Sequence, residues 1–154
     1  MDKEPAANNF IGNSIIIGSD HGGFELKEKI KALLLSKGFM VEDAGPNGTE
    51  SVSYVDYGKK VANAVSRGQF PRGILLCGTG LGMSMVANRF PKVRAALCSD
   101  LFSARMSRLH NDANILVMGG RIIGDILAFE LVKTWLETEF EGGRHQDRIQ
   151  CIDL

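Results

Sequence analysis

A cysteine directly before a glycine-rich loop is the feature of this chain best suited to chemistry. The loop, residues 78–82, follows a short apolar run at residues 73–77. Such a glycine-bounded run predicts a buried strand with Cys77 at its carboxyl end, where open α/β sheets bind ligands. Loop amides would then stabilise negative charge that develops beside the thiol, and they belong to Gly78, Thr79, Gly80 and Gly82. The pattern indicates an acid-base cysteine beside a bound anion.

Two other interpretations of this segment stay open. A free cysteine is often a small buried hydrophobic residue. The glycines also resemble part of a dinucleotide-binding fingerprint, since Asp100 lies twenty residues after Gly80. Against this, the third glycine comes one residue early, and 154 residues leave little room for a separate substrate domain. The other cysteines, Cys98 and Cys151, lack such a loop and receive no chemical role.

The three histidines, His21, His110 and His145, each lie in a polar cluster and not on an apolar face. Any one of them alone is typical of a solvated or capping histidine. Their shared placement instead favours a role in a site. No pair has the spacing of a metal site, and the chain has no cysteine-histidine quartet. We therefore expect no metal and no other cofactor.

The carboxyl-terminal segment carries two arginines four residues apart, Arg144 and Arg148. On a helix they would share one face and could form a fork around a phosphate. A solvated basic turn is the alternative. Arg121, beside Gly119 and Gly120, adds modestly to the phosphate interpretation.

Composition excludes several classes of protein. Eighteen basic residues balance eighteen acidic ones, so no positive field favours nucleic acid and no basic helix indicates a membrane surface. The cysteines are odd in number, and neither a signal peptide nor a membrane-spanning stretch is evident. We expect a cytoplasmic protein with free thiols and a small-molecule ligand.

Short apolar runs alternate with amphipathic stretches, which predicts a parallel sheet with helices on both faces. The expected fold class is α/β, a three-layer α/β/α Rossmann-like domain over residues 11–154, after a disordered extension at 1–10. Strands are predicted at residues 15–17, 39–41, 74–77, 93–98 and 115–118. Helices are predicted to end at Gly38 and Gly68, to begin near Gly82, and to span residues 101–109 and 125–140.

Polar clusters follow four of the predicted strands, at residues 20–23, 77–82, 99–100 and 119–121. Right-handed crossovers bring the carboxyl ends of parallel strands to one edge of the sheet. These clusters are therefore expected to meet in one site.

The same residues carry a resemblance to a known family. The chain resembles type B ribose-5-phosphate isomerases, of the broader group that includes the galactose-6-phosphate isomerase subunits, over about residues 14–149. The motifs are Gly18-Ser19-Asp20-His21-Gly22-Gly23-Phe24 with Leu26-Lys27-Glu28, Cys77-Gly78-Thr79-Gly80-Leu81-Gly82, His110-Asn111-Asp112, and Gly142-Gly143-Arg144-His145-Gln146 with Arg148.

The resemblance implies a metal-free aldose-ketose isomerase of the pentose phosphate pathway that works through an enediolate. In the family pattern Cys77 is the base that moves a proton between C2 and C1, and Thr79 and the loop amides serve the sugar oxygens. His110, with Asp20 or Tyr54, opens the furanose ring, and Asn111 stabilises the enediolate. The phosphate ligands implied are His21, Arg121, Arg144 and Arg148. The resemblance also implies a homodimer with shared sites, or a dimer of such dimers.

One departure concerns the ring-opening group, because many relatives have Asp-Tyr-Pro where this chain has Ser53-Tyr54-Val55. Three other functions stay open. One is an isomerase for a hexose phosphate such as allose 6-phosphate or galactose 6-phosphate. The others are a non-catalytic sugar-phosphate sensor and a nucleotide-binding oxidoreductase fragment.

Overall fold

The computed structural model describes residues 12–153, which form a parallel sheet flanked by helices. The strands are β1 (Ser14–Ser19), β2 (Met40–Asp43), β3 (Arg72–Cys77), β4 (Ala95–Leu97) and β5 (Ile115–Gly119). The helices are α1 (Phe24–Ser36), α2 (Tyr54–Ser66), α3 (Leu81–Ala87), α4 (Leu101–Leu109), α5 (Asp125–Glu137) and α6 (Arg144–Ile152). This confirms the predicted α/β fold class.

The strand order is β2-β1-β3-β5-β4, and all neighbouring strands are parallel. After β1 the chain moves outward to β2, whereas after β3 it moves to the opposite side of the sheet. The boundary between β1 and β3 is therefore a topological switch point, the place where open α/β sheets bind ligands. Asp20 follows β1 and the Cys77 loop follows β3, so both lie at this crevice.

Alternation along the strands divides the core into two apolar layers. Ile15 and Ile17 face one layer, with side chains from α1, α4 and α5, while Ile16 faces the other, with side chains from α2 and α3. Trp135 of α5 is fully buried in the first layer. Because both faces are covered, the strands are apolar along most of their length.

Several predicted boundaries differ from those in the structure. β2 begins at Met40 and extends to Asp43, and β4 shrinks to three residues at the sheet edge, where the Asn88 side chain bonds both the amide and the carbonyl of Ala95. α5 ends at Glu137 because Thr138 adopts extended dihedrals. The arginine-bearing tail forms α6. The expected disordered extension, residues 1–10, lies outside the described residues, and a single domain over 11–154 stays a prediction.

Candidate active site

The turn after β1 fixes Asp20 at the carboxyl edge of the sheet. The Asp20 amide donates to the carbonyl of Leu76 on the neighbouring strand at 3.2 Å, and the Asp20 carboxylate accepts from the amide of Gly23 at 3.1 Å. The residue is 8% exposed. Gly22 lets this turn approach the next loop, since a methyl group there would lie 3.2 Å from the Gly78 Cα.

Cys77 lies at the end of β3 and is 5% exposed. Its Sγ accepts a hydrogen bond from the Gly80 amide at 3.1 Å. Gly80 adopts a left-handed conformation with φ of 83°, which turns its amide back toward the sulfur. An amide directed at a cysteine sulfur stabilises the thiolate, the form that acts as a base.

The loop after β5 packs against the cysteine loop. The amides of Gly120 and Arg121 donate to the carbonyls of Cys77 and Gly78 at 2.8 and 2.9 Å. The Arg121 side chain lies over Gly78, where an added methyl group would be 3.5 Å from Nη1. Three of the four clusters expected at this edge, at residues 20–23, 77–82 and 119–121, therefore meet, while the Asp100 side chain bonds its own helix.

Tyr54 opens α2 beside the cysteine loop. A methyl group on Gly82 would lie 2.5 Å from the Tyr54 Cε2, so the ring covers that glycine. Ser53 caps the helix by accepting the Val55 amide at 3.3 Å. Thr79 accepts the Leu81 amide at 3.3 Å. The departure at residues 53–55 leaves Tyr54 at the site.

His21 follows Asp20 in the turn after β1. Its Nδ1 accepts the Val52 amide at 3.2 Å, which leaves Nε2 as the nitrogen that can donate a hydrogen bond. His21 and Arg121 line the same cavity of about 370 Å³, together with Thr49 and Gly120. The cavity has room for a phosphate between an imidazole and a guanidinium.

A buried ion pair anchors the loop that supplies Val52, a contact that the sequence analysis missed. The Lys27 side chain is fully buried, and its ammonium donates to both oxygens of Asp43 at 2.7 and 2.8 Å and to the carbonyl of Pro46 at 3.0 Å. Burial alone would raise the pKa of Asp43, but hydrogen bonds from Lys27, Gly45 and Lys31 hold it below its usual value. A lysine on an amphipathic helix is normally solvated, so the sequence carries no distinct signal for this pair.

Asp100, which the dinucleotide-binding interpretation singled out, is a helix cap. Its two carboxylate oxygens accept the amide and the hydroxyl of Ser103 at 2.7 and 2.8 Å, which caps α4. These bonds lower the pKa of Asp100. Cys98 is buried, and this burial raises the pKa of its thiol to about 11, in keeping with a core residue.

The remaining candidate residues lie together at the opposite edge of the sheet. His110 and Asn111 follow α4, which leads from the carboxyl edge back to the amino edge. Arg144 and Arg148 lie four residues apart and exposed on α6, as predicted for a shared helical face, and within residues 12–153 neither guanidinium has an ion-pair partner.

The rings of His110 and His145 stack at this edge, with centroids 4.2 Å apart and planes 13° apart. His145 is buried, and burial together with the charges of His110, Arg144 and Arg148 lowers its pKa. Glu141 Oε2 lies 3.7 Å from His110 Nε2 and 4.0 Å from His145 Nε2.

These two histidines and Glu141 bring potential metal donors within 4.8 Å of one another. An imidazole lone pair lies in the plane of its ring, so two nearly parallel rings do not aim at a common point. We read the group as a stacked pair with a nearby carboxylate, and the expected absence of a metal stays a prediction.

The two edges are well separated within one chain. In the pairing of β3 with β5, Cys77 lies opposite Gly119 and Gly73 lies opposite Ile115. The Gly73 amide donates to the carbonyl of Asn114, three residues after Asn111. Four strand residues therefore separate the levels of the two clusters, about 13 Å at the usual rise per residue. The chain does not bring His110, Asn111, Arg144 or Arg148 to its own Cys77.

No helix within residues 12–153 has the length and apolar character needed to cross a membrane.

The chain is similar to known proteins in both sequence and structure. The sequence model described as Ribose/Galactose Isomerase matches residues 15–152. The chain is 46% identical over 138 residues to ribose-5-phosphate isomerase B of Escherichia coli, covering 90% of this chain and 93% of that protein.

Two solved structures are similar throughout. The ribose-5-phosphate isomerase B of Clostridium thermocellum aligns with a TM-score of 0.90 at 54% identity, covering 91% of this chain and 95% of that one. The corresponding structure from Thermotoga maritima aligns with a TM-score of 0.89 at 56% identity, covering 91% and 97%.

Proposed function

The chain belongs to the ribose/galactose isomerase family, and from this premise we propose that it interconverts ribose 5-phosphate and ribulose 5-phosphate. The observation that carries the proposal is the Cys77 sulfur, buried at the switch point with the Gly80 amide 3.1 Å away. Relatives named ribose-5-phosphate isomerase B, at 46 to 56% identity, support the pentose phosphate as substrate.

Proton transfer starts from the open-chain sugar. The Cys77 thiolate takes the proton from C2 of the aldose, and the electron pair moves toward the aldehyde oxygen to form an enediolate. Cys77 then returns the proton to C1, while the proton of the C2 hydroxyl passes to the C1 oxygen and the C2 oxygen becomes a carbonyl. Amides of the cysteine loop and the Thr79 hydroxyl stabilise the negative oxygen in between.

The phosphate end of the sugar fits the cavity beside His21 and Arg121. His21 and Arg121 line it and supply side-chain N–H donors for a phosphate, and Glu25 lines it as well. A phosphate bound there would hold the sugar so that its reacting carbons lie toward Cys77. Asp20, beside the same crevice, is available to the ring oxygen or the anomeric hydroxyl.

We further propose a homodimer in which each site combines the carboxyl edge of one protomer with the amino edge of its partner. Support comes from the separation of the two edges, since ring opening, enediolate stabilisation and the phosphate fork depend on His110, Asn111, Arg144 and Arg148. A two-fold interface makes both sites alike.

Exposed apolar side chains near the cysteine loop add to this. Leu81 is 53% exposed, Met85 is 67% exposed and Phe102 is 67% exposed. Leu81 and Met85 lie on α3, which follows the cysteine loop, and Phe102 lies on α4. Large apolar side chains with this exposure are of the kind that a partner subunit covers. A cytoplasmic location agrees with the free thiols of Cys77, Cys98 and Cys151.

Proton NMR of ribose 5-phosphate in deuterated water, with chelator-treated protein, tests the reaction. We expect loss of the C2 proton signal together with the appearance of ribulose 5-phosphate carrying deuterium at C1. The matched control is Cys151→Ala, which removes an exposed thiol on α6 and should behave as wild type.

Failure to exchange with ribose 5-phosphate but exchange with allose 6-phosphate would move the substrate to a hexose phosphate. No exchange with either sugar would contradict the isomerase proposal and favour a sugar-phosphate sensor. The relative kcat/KM values for the two sugars measure the preference directly.

A further inference from the structure

Arg94, immediately before β4, binds the turn that carries two of the candidate residues. Its Nε donates to the carbonyls of Asn111 and Asp112, each at 3.1 Å, and its Nη2 donates to the Asp112 carbonyl at 3.0 Å. The Arg94 side chain is 14% exposed. Charge-assisted bonds to carbonyls are among the stronger ones in proteins, and partial burial protects them from water.

The turn needs such support because it ends a helix. The last carbonyls of α4 and the residues after it lack partners within the helix. Asp112 also adopts a positive φ of 44°, which is costly for a residue with a side chain. Arg108 holds the Asp112 carboxylate at 2.8 Å, but the carbonyls of Asn111 and Asp112 are held by Arg94.

The same guanidinium reaches the last helix. Its Nη1 donates to Asp153 Oδ2 at 2.6 Å, directly after the end of α6. α6 carries Arg144 and Arg148, so one side chain joins the His110–Asn111 turn to the helix of the phosphate-binding arginines. A planar fork of donors suits this task, since its Nε, Nη1 and Nη2 groups point in fixed, separate directions, whereas the three donors of an ammonium start from one atom.

We infer that Arg94 is a positioning residue, an inference that rests on the proposed function: it holds the amino-edge half of the site in register for use by the partner subunit. It does not touch the substrate. It sets the backbone of the turn directly after His110 through the carbonyls of Asn111 and Asp112, and it sets α6 through Asp153.

Three substitutions separate these contacts. Arg94→Lys keeps a charge for Asp153 but loses the fork on the carbonyls, so we expect kcat to fall about tenfold with KM little changed. Asp153→Asn keeps the fork but weakens the link to α6, so KM should rise about threefold to tenfold with kcat nearly constant. Arg94→Gln should show both effects. The matched control is Arg89→Gln, an exposed arginine that should behave as wild type.

Heterodimers show which half of the site Arg94 serves. Two chains with different affinity tags are co-expressed, and the mixed dimer is isolated by tandem purification. Paired with Cys77→Ala, Arg94→Gln should regain about half of wild-type activity, because one of the two sites is then intact. Paired with His110→Gln, it should fall to about half the activity of Arg94→Gln alone, because one site carries the Arg94→Gln defect and the other lacks His110. If Arg94 had a purely structural role, Arg94→Gln would lower the yield of folded protein, and the two mixed dimers would not differ in this way.

Hydrogen exchange tests the geometry without reference to activity. In Arg94→Gln the amides of His110 and Asp112, which bond Met106 and Arg108, should exchange faster, while the Gly80 amide should not change. Unchanged exchange at 110–112, or rescue of His110→Gln by Arg94→Gln, would overturn the inference. Lack of isomerase activity in wild type would instead remove the proposed function and leave this exchange result standing.

Discussion

The two edges of the sheet, which form the two halves of the proposed site, are built in different ways. At the carboxyl edge, glycines let three loops touch, and backbone amides supply most of the bonds, such as Gly80 to the Cys77 sulfur and Gly120 to the Cys77 carbonyl. At the amino edge, charged side chains hold the turn and the helix, with Arg94 on two carbonyls and Asp153. Backbone hydrogen bonds therefore shape the first edge, whereas charged side chains shape the second.

This contrast predicts that loss of the base is the largest single effect. Cys77→Ala should lower kcat by about 10³-fold or more, because a positioned general base contributes on that scale. The fold should survive, since Gly80 and its neighbours set the loop, and the thermal midpoint should stay close to wild type. Steady-state kinetics and thermal unfolding measure the two. Turnover within tenfold of wild type would move the base to another group, with Asp20 the first to test.

A methyl group at the carboxyl edge should damage stability and activity together. In Gly120→Ala the new Cβ would lie 2.7 Å from the carbonyl oxygen of Gly22, so one of the two loops must shift. We expect a loss of about 2 kcal/mol in the free energy of unfolding and a lower kcat. Gly124→Ala is the control, since no atom lies within 4 Å of its added Cβ. Equal behaviour of the two variants in urea unfolding would show that the loops do not depend on close contact.

Removal of one amino-edge charge should affect binding more than the chemical step. Arg148→Gln should raise KM for ribose 5-phosphate about tenfold, the cost of one charge-assisted bond to phosphate, with kcat changed much less. Stability should not fall, because Arg148 is exposed and its guanidinium has no ion-pair partner within residues 12–153. A kcat loss larger than the KM change would place Arg148 in the chemical step and not in phosphate binding.

The smallest expected effect is a pH dependence at the stacked histidines. Burial, His110, Arg144 and Arg148 lower the pKa of His145 in the folded protein, while Glu141 opposes them. Below the ordinary value of 6.5 the unfolded chain therefore binds more protons than the folded one, and the free energy of unfolding falls as pH falls. The stability that depends on neutral His145 is fully present above about pH 6.5. His145→Gln should show a flatter decline between pH 7.5 and 5.5 in urea unfolding, and identical slopes would contradict it.

The carboxyl edge could be predicted from sequence because its signals are local. A short apolar run followed by glycines gives a strand and a loop, and parallel topology then gathers Asp20, Cys77 and Arg121 at one edge. The boundaries of the helices and strands were predicted less accurately than their order. The end of α5 depends on Thr138, which leaves the helix although its sequence neighbours remain compatible with one.

The amino edge could not be assembled from pattern alone. Arg94 lies next to a short edge strand and 17 residues before Asn111, whose carbonyl it binds, and such side-chain to backbone contacts leave no periodicity in the sequence. The sequence pattern does not distinguish the fully buried Lys27 from a solvated lysine on an amphipathic helix. The resemblance named His110, Asn111, Arg144 and Arg148, and the structure then showed that they lie far from the Cys77 of the same chain.

The measurement that tests the shared site most directly is the activity of a tagged heterodimer of Cys77→Ala with His110→Gln. Each variant alone should be nearly inactive. In the mixed dimer one site draws its Cys77 loop from the His110→Gln chain and its His110 from the Cys77→Ala chain, so about half of wild-type activity should return. A mixed dimer as inactive as its parents would contradict the account and place both residues in a site within one chain.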